Sequence, residues 1–195
     1  MSVTERWIVV GLGNPGPQYE RTRHNVGQMV LDELAARTGQ KFTVHKQTRT
    51  QMVETRLRPG GPRLVLVKPM SYMNLSGGPV ASVLKFFGAT LENLVVVHDE
   101  VDIDFDAIKL KRGGGEGGHN GLRDISKACG SKDYLRVRVG VGRPPGRMDT
   151  ADFVLKPFTS TEQADLPLLL ERSADAVEQI IDHGLKAAQN AVHAR

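Results

Sequence analysis

The sequence predicts an α/β fold: a single-domain three-layer sandwich, residues 1–195, with a central mixed β-sheet flanked by helices. Three observations predict it. Short apolar runs of strand character alternate along the chain with segments whose apolar residues recur every three or four positions. Pro59-Gly60-Gly61-Pro62 separates two of the apolar runs, so a hairpin with antiparallel pairing interrupts an otherwise strand–helix order. The chain has 195 residues, 39% hydrophobic and 25% charged, which suits one well-packed core and argues against disorder. No internal repeat or low-complexity linker divides it.

The elements follow in order. Trp7-Ile8-Val9-Val10 is a short strand stopped by the turn Gly11-Leu12-Gly13-Asn14-Pro15-Gly16. Val26, Met29, Val30 and Leu34 share one helical face, and Gly39 closes that helix. Met52 to Leu57 and Leu64 to Val67 form the hairpin. Val80, Val83, Leu84 and Phe87 mark a second helix, with Pro79 in its first turn and Gly88 after its end. Leu94-Val95-Val96-Val97 reads as a buried central strand running into His98-Asp99. Ile108 to Arg112 leads to a glycine-rich loop, and Leu122 to Cys129 reads as a short helix closed by Gly130. From Tyr134 to Val141, Leu135, Val137, Val139 and Val141 alternate with Arg136 and Arg138, a half-buried strand with its arginines outward. Thr159-Ser160-Thr161-Glu162 offers a capping box for a helical tail striped by Leu166, Leu170, Val177, Ile180 and Ile181.

Composition excludes several classes. No apolar run approaches the ~20 residues of a membrane span, and Met1 to Arg6 lacks the basic-then-apolar layout of a signal peptide. The single cysteine, Cys129, cannot form an internal disulfide, and a reducing cytoplasm is the expected location. With 26 basic and 22 acidic residues the net charge of +4 permits a nucleic-acid partner without demanding one.

The stretch Gly113-Gly114-Gly115-Glu116-Gly117-Gly118-His119-Asn120-Gly121 carries the strongest local signal. Six of its nine residues are glycine, which offers nothing to bury and suits close approach of backbone to a ligand. Entering a helix, such a loop is a general anion- or carbonyl-binding arrangement; a mobile surface loop is the alternative. Gly11 to Gly16 matches the dinucleotide G-x-G-x-x-G pattern, but Pro17 to Arg23 separates it from the following helix and Lys41-Phe42-Thr43-Val44 supplies no ribose-binding acid. Asp102-Ile103-Asp104-Phe105-Asp106 opens like a calcium loop, yet Ala107 stands where glycine is needed and Gly113 where a bidentate glutamate is needed. Neither His24, His98 and His119 nor the lone cysteine has zinc-site spacing.

His24 lies among polar residues just ahead of an amphipathic helix, where an imidazole can act as a general base. Asp99, at the end of the apolar strand, is the carboxylate best placed to orient it, and its loss should cost less than loss of the base itself. Asn14, Asn74 and Asn120 each stand at a junction where asparagine either caps a helix or presents its amide. Three such amides with one histidine and one aspartate describe a site that binds carbonyls and orients water. Lys109, Lys111, Arg112, Arg136 and Arg138 could grip nucleic-acid phosphates or form a solvated face.

Asn14-Pro15-Gly16, Tyr19, Thr22-Arg23-His24-Asn25-x-Gly27, Pro69 with Tyr72-Met73-Asn74-x-Ser76-Gly77, His98-Asp99-Glu100-Val101-Asp102, Gly117-Gly118-His119-Asn120-Gly121 and Arg136-Val137-Arg138-Val139-Gly140 occur in one order. In that order they resemble the bacterial peptidyl-tRNA hydrolases, nearly from end to end of the chain. The resemblance implies a monomeric cytoplasmic enzyme, without cofactor or metal, that cuts the ester between a stalled peptide and tRNA and so recycles the tRNA. It implies His24 as base, Asp99 as its partner, Asn14 as an orienting residue and Asn120 as the group binding attacking water or polarised carbonyl. Tyr19, Met73, Asn74 and Asn120 would hold the peptidyl end, and Lys111 and Arg138 the tRNA acceptor stem. Ser71 stands where the family often has threonine and Glu116 where it often has histidine, which puts any role of that loop position in question. A non-catalytic RNA-binding module on the same scaffold is the rival, and it would not need His24, Asp99 and the asparagines.

Overall fold

The apolar runs pair into one seven-stranded sheet in the computed structural model, which describes residues 5–193. The part of the N-terminal signal-peptide reading that falls on residues 1–4, and residues 194–195 of the expected domain, lie outside the described residues. In chain order the elements are β1 (Arg6–Gly11), α1 (Val26–Thr38), β2 (Thr43–His45), β3 (Thr50–Arg56), β4 (Arg63–Pro69), α2 (Gly77–Phe87), β5 (Leu94–Glu100), β6 (Ile108–Arg112), α3 (Asn120–Cys129), β7 (Leu135–Gly140), α4 (Thr150–Val154), α5 (Ser160–His183) and α6 (Leu185–His193). The sheet order is β2-β3-β4-β1-β5-β7-β6. β4, β1, β5 and β7 run parallel, while β2–β3, β3–β4 and β6–β7 pair antiparallel, so the sheet is mixed as predicted.

Strand alternation sorts the core into two layers. Val9, Val95, Val97 and Val137 face α1 and α5, where Val30, Leu34, Val177 and Ile181 meet them. Ile8, Val10, Val67 and Val96 face α2 and α3, against Val80, Val83, Leu122 and Ile125. All of these side chains but Leu34 (2% exposed) and Leu122 (1%) are wholly buried, each contributing about 1.5–3 kcal/mol by removal from water. Helix stops follow the sequence signals: Gly39, Gly88 and Gly130 adopt the left-handed conformation after α1, α2 and α3. The predicted box forms at α5, where Thr159 Oγ1 accepts from the Glu162 N–H and Glu162 Oε1 accepts from the Thr159 N–H.

One expectation fails. Arg136 does not point outward; it is fully buried. Its guanidinium donates to Gly115 O at 2.7 Å, Lys132 O at 3.0 Å and Gly114 O at 3.3 Å, and stacks on the Tyr134 ring at 4.5 Å. The alternation itself holds, since Leu135, Val137 and Val139 do face the α1/α5 layer. Around Arg136 the opposite face is covered by the glycine-rich loop and Lys132, whose carbonyls replace water at the two terminal nitrogens, while the buried Nε has no partner. Arg138 is half-buried, with Nε donating to Glu100 Oε1 at 3.2 Å.

Candidate active site

The C-terminal ends of the parallel strands open into a cavity of about 430 Å³, the usual crevice of an open α/β sheet. β1 runs out into Asn14, β4 into the 3₁₀ turn Met73–Leu75, and β5 into Asp99 and Glu100. His24 sits in the 3₁₀ turn Arg23–Asn25 just before α1. That turn comes close to β5 because residue 27 is glycine. A Cβ there would stand 2.2 Å from Val97 O and 2.9 Å from the Leu12 N–H nitrogen.

Asp99 is the centre of the site. Its side chain is 2% exposed, with Oδ2 at 2.8 Å from His24 Nδ1 and Oδ1 at 2.8 Å from His119 Nε2. Burial alone would raise its pKa, but the two imidazoles, through their charge and hydrogen bonds, hold it well below the usual carboxylate range. An ionised carboxylate only accepts, so both histidines donate to it. His119 Nδ1 independently accepts from the Gly121 and Leu122 N–H groups at 3.1 and 3.3 Å, which confines its proton to Nε2. His24 donates its Nδ1–H hydrogen bond to Asp99, and its Nε2 lone pair is left for the cavity. Burial pulls the His24 pKa down; the Asp99 charge and hydrogen bond outweigh it, and the net shift is upward. Behind this row, His98 Nδ1 donates to Asp99 O at 2.7 Å, and burial, with the neighbouring His119, pushes the His98 pKa down to about 3. His98 is therefore a neutral wall for the His119 ring, 5.1 Å away.

The asparagines have distinct situations. Asn14 Oδ1 accepts from the Met73 N–H at 2.7 Å, so the side-chain NH₂ is the part of Asn14 left to face the cavity. Asn25 anchors the same loop by accepting from the Asn14 N–H and donating to Asn14 O, both at 2.9 Å. Asn74 and Asn120 are exposed at the cavity's edge, and Met73 is buried beneath them. Tyr19 does not line the cavity; it packs edge-on against Tyr72, which does, with ring centroids 6.4 Å apart. Lys111 and Arg138 lie outside it, Lys111 Nζ donating to Gly115 O at 2.9 Å.

Sequence reasoning missed several lining groups. His119 was visible in the glycine stretch without a role, and the anion-binding reading of the α3 N-terminus now changes: its N–H groups are capped by that imidazole. Glu100 and Val101 continue β5 into the wall, and Thr150, Ala151, Val154 and Leu155 of α4 and its C-cap complete it. The available signal for α4 was Asp149, which caps it by accepting from the Ala151 N–H at 3.3 Å. His24, Asp99 and His119 could each offer one metal-ligand atom, all within 4.8 Å of one another. In the observed arrangement His24 Nδ1 and His119 Nε2 each donate to Asp99, so a metal bound through those two nitrogens would displace both protons. A larger cavity, about 770 Å³, lies at the opposite strand ends. There Arg37 and Arg58 are engaged by Glu178, Asp175 and Asp182, and no catalytic grouping faces it among the described residues.

No described helix is long and apolar enough to cross a membrane. The chain is 65% identical to a peptidyl-tRNA hydrolase of Arthrobacter sp. (strain FB24) and 64% identical to one of Paenarthrobacter aurescens, each alignment covering 98% of both chains. Its structure superimposes on the crystal structure of peptidyl-tRNA hydrolase from Acinetobacter baumannii with a TM-score of 0.89 and 33% identity, over 100% of this chain and 96% of that one. An Arabidopsis thaliana 5'-methylthioadenosine nucleosidase shares the fold at a TM-score of 0.53 and 9% identity. The peptidyl-tRNA hydrolase family model matches residues 8–195, and with the ordered motifs and the His24–Asp99–His119 row inside that span, the chain belongs to the peptidyl-tRNA hydrolase family.

Proposed function

We propose that the protein hydrolyses the ester bond between an N-blocked aminoacyl or peptidyl group and the 3′-terminal adenosine of tRNA, with His24 as the base that activates water. The observation that supports this most directly is the buried, ionised Asp99 holding His24 with its Nε2 lone pair toward a cavity edged by Asn14, Asn74 and Asn120. Water bound near Asn120 gives a proton to His24 Nε2 as its oxygen attacks the ester carbonyl. The carbonyl electron pair moves to oxygen, and the Asn14 NH₂ group is the donor best placed to meet the developing oxyanion. Collapse of the tetrahedral intermediate breaks the bond to the ribose oxygen, and the imidazolium returns its proton there, so acid, tRNA and neutral His24 result. Asp99 stabilises the imidazolium while it exists. The cycle uses water as its only co-reactant.

In this reading Tyr19, through Tyr72, supports the peptide side of the cleft with Met73 and Asn74. Lys111 and Arg138, on either side of the glycine loop, take phosphates of the acceptor stem. The whole chain acts as one catalytic domain, as a monomer, in the cytoplasm where translation supplies its substrate. The test is incubation with N-acetyl-aminoacyl-tRNA and measurement of free tRNA. Release by the wild-type protein, strongly slowed by His24→Ala, is the expected result; tRNA binding without release would identify an RNA-binding module instead.

A further inference from the structure

Arg23, the neighbour of His24, is 5% exposed in its side chain, an unusual place for a group that cannot lose its charge. Its partners all lie in the segment formed by α4 and the start of α5. Nη1 donates to Phe153 O at 3.2 Å and reaches Lys156 O at 3.5 Å, Nη2 donates to Glu162 Oε1 at 3.0 Å, and the guanidinium lies 3.9 Å from the Phe153 ring centroid. The Arg23 N–H also donates to Lys156 O at 3.1 Å, and Thr22 pairs with Pro157 as an isolated bridge. The Glu162 oxygen that Arg23 engages is the one that closes the α5 capping box. One side chain therefore joins the His24 turn, the α4 wall and the N-terminus of α5. α4 has five residues, too few to hold a helix by its own hydrogen bonds. It nonetheless contributes Thr150, Ala151 and Val154 to the cavity, with Leu155 following.

We infer that Arg23 is a positioning residue for the reaction, fixing the separation between the α4 surface that meets the peptide and the imidazole that activates water. The inference rests on His24 being the base. Phe153, Lys156 and Glu162 set the guanidinium; the guanidinium sets α4; and the same residue's backbone carries the His24 turn. Contacts that a peptide makes on α4 are thereby converted into alignment of the ester with His24 Nε2, a use of remote binding energy at the reacting atoms.

The experiment compares wild type, Arg23→Ala, Arg23→Lys and His24→Ala on N-acetyl-aminoacyl-tRNA and N-acetyl-dipeptidyl-tRNA, well below each variant's Tm. A misplacement of the order of 1 Å costs about 10² in rate, so Arg23→Ala should lose about that much in kcat/KM, with KM raised and kcat lowered together. Extending the peptide should raise kcat for wild type and leave it flat for Arg23→Ala. Millimolar guanidinium chloride should restore part of the loss in Arg23→Ala and none in His24→Ala, because the vacated site between Phe153 and Glu162 has the shape of that ion. Arg23→Lys retains the charge without the fork that holds the two carbonyls through Nη1 and Glu162 through Nη2 at once; should Arg23→Ala fail to fold, it carries the same kinetic test. A lowered Tm with unchanged kcat, KM and peptide-length response would make Arg23 a purely structural residue and overturn the inference. Full activity of His24→Ala would instead remove the base on which it rests, whatever Arg23 does.

Discussion

Replacing Asp99 by asparagine preserves the shape of the side chain and changes only what its two ends offer, a carbonyl oxygen and an NH₂ donor. The orientation of the new amide is dictated from one side. His119 Nδ1 accepts two backbone N–H groups, at 3.1 and 3.3 Å, so its Nε2 must present a proton, and the amide oxygen must turn toward it. The NH₂ group is left facing His24 Nδ1, where Asp99 Oδ2 now lies at 2.8 Å. His24 can meet a donor only by deprotonating Nδ1 and protonating Nε2, which removes the lone pair from the cavity. Restoring the productive tautomer leaves two donors opposed, or forces His119 to shed its two backbone donors. Two unsatisfied buried groups at about 1–3 kcal/mol each make about 2–6 kcal/mol, or about 30-fold to 10⁴-fold in turnover at about 1.4 kcal/mol per decade. Asp99→Ala has no donor to impose the wrong tautomer and should retain more turnover, although it destabilises the fold by stranding the His119 N–H. The assay is single-turnover release of tRNA from N-acetyl-aminoacyl-tRNA by both variants, with circular dichroism confirming folding. Asp99→Asn equal to or faster than Asp99→Ala would refute the tautomer argument and return Asp99 to the milder orienting role that the sequence alone predicts.

His24→Ala should lower turnover by about 10²–10⁴ and leave tRNA affinity, measured by filter binding, unchanged. Because the His24 pKa is raised above its ordinary 6.5, wild-type turnover should fall as pH drops through a value above 6.5; with Asp99→Ala only burial remains and that acid limb should move below 6.5. The same shifts act on stability. The Asp99 contribution is present above 3.8 and lost as pH falls, and that of His24 is full below 6.5 and lost as pH rises, so denaturant midpoints should show the pair's full effect between these values. Free aminoacyl-tRNA should be cut more slowly than its N-acetyl form, since Asn74 can pair with an amide but leaves an α-ammonium without an acceptor it prefers; equal rates would remove Asn74 from substrate selection. Lys111→Ala should weaken tRNA binding and flatten the salt dependence of log affinity by about 0.7–0.9, with an adenosine ester cut at the wild-type rate. Arg138→Ala should flatten it less, since Arg138 already neutralises Glu100.

The sequence by itself determined the run from β1 and α1 through the hairpin, α2, β5, β6, α3 and β7 to the helical tail, with the glycine helix stops and the α5 capping box, but not β2, α4 or the break between α5 and α6. Each is decided by residues within a few positions of one another, through backbone preference or apolar period. It also determined that His24, Asp99 and the three asparagines lie at junctions, because polar residues at the ends of apolar runs are themselves a local pattern. Only the tertiary structure decided what those groups do to each other. His24 meets Asp99 across 75 positions, and Asp99 meets His119 across 20. His119 looked like one more polar residue of a glycine loop until the sheet brought Asp99 beneath it, and α4 entered the site through Arg23 from 130 positions away. Arg136 shows the same limit from the other direction. Its alternation correctly assigned it to the face opposite Leu135, Val137 and Val139, but whether water or folded chain covers it there depends on where residues 114, 115 and 132 come to rest. Periodicity specifies a direction from the backbone, and the partner found in that direction is set by long-range packing.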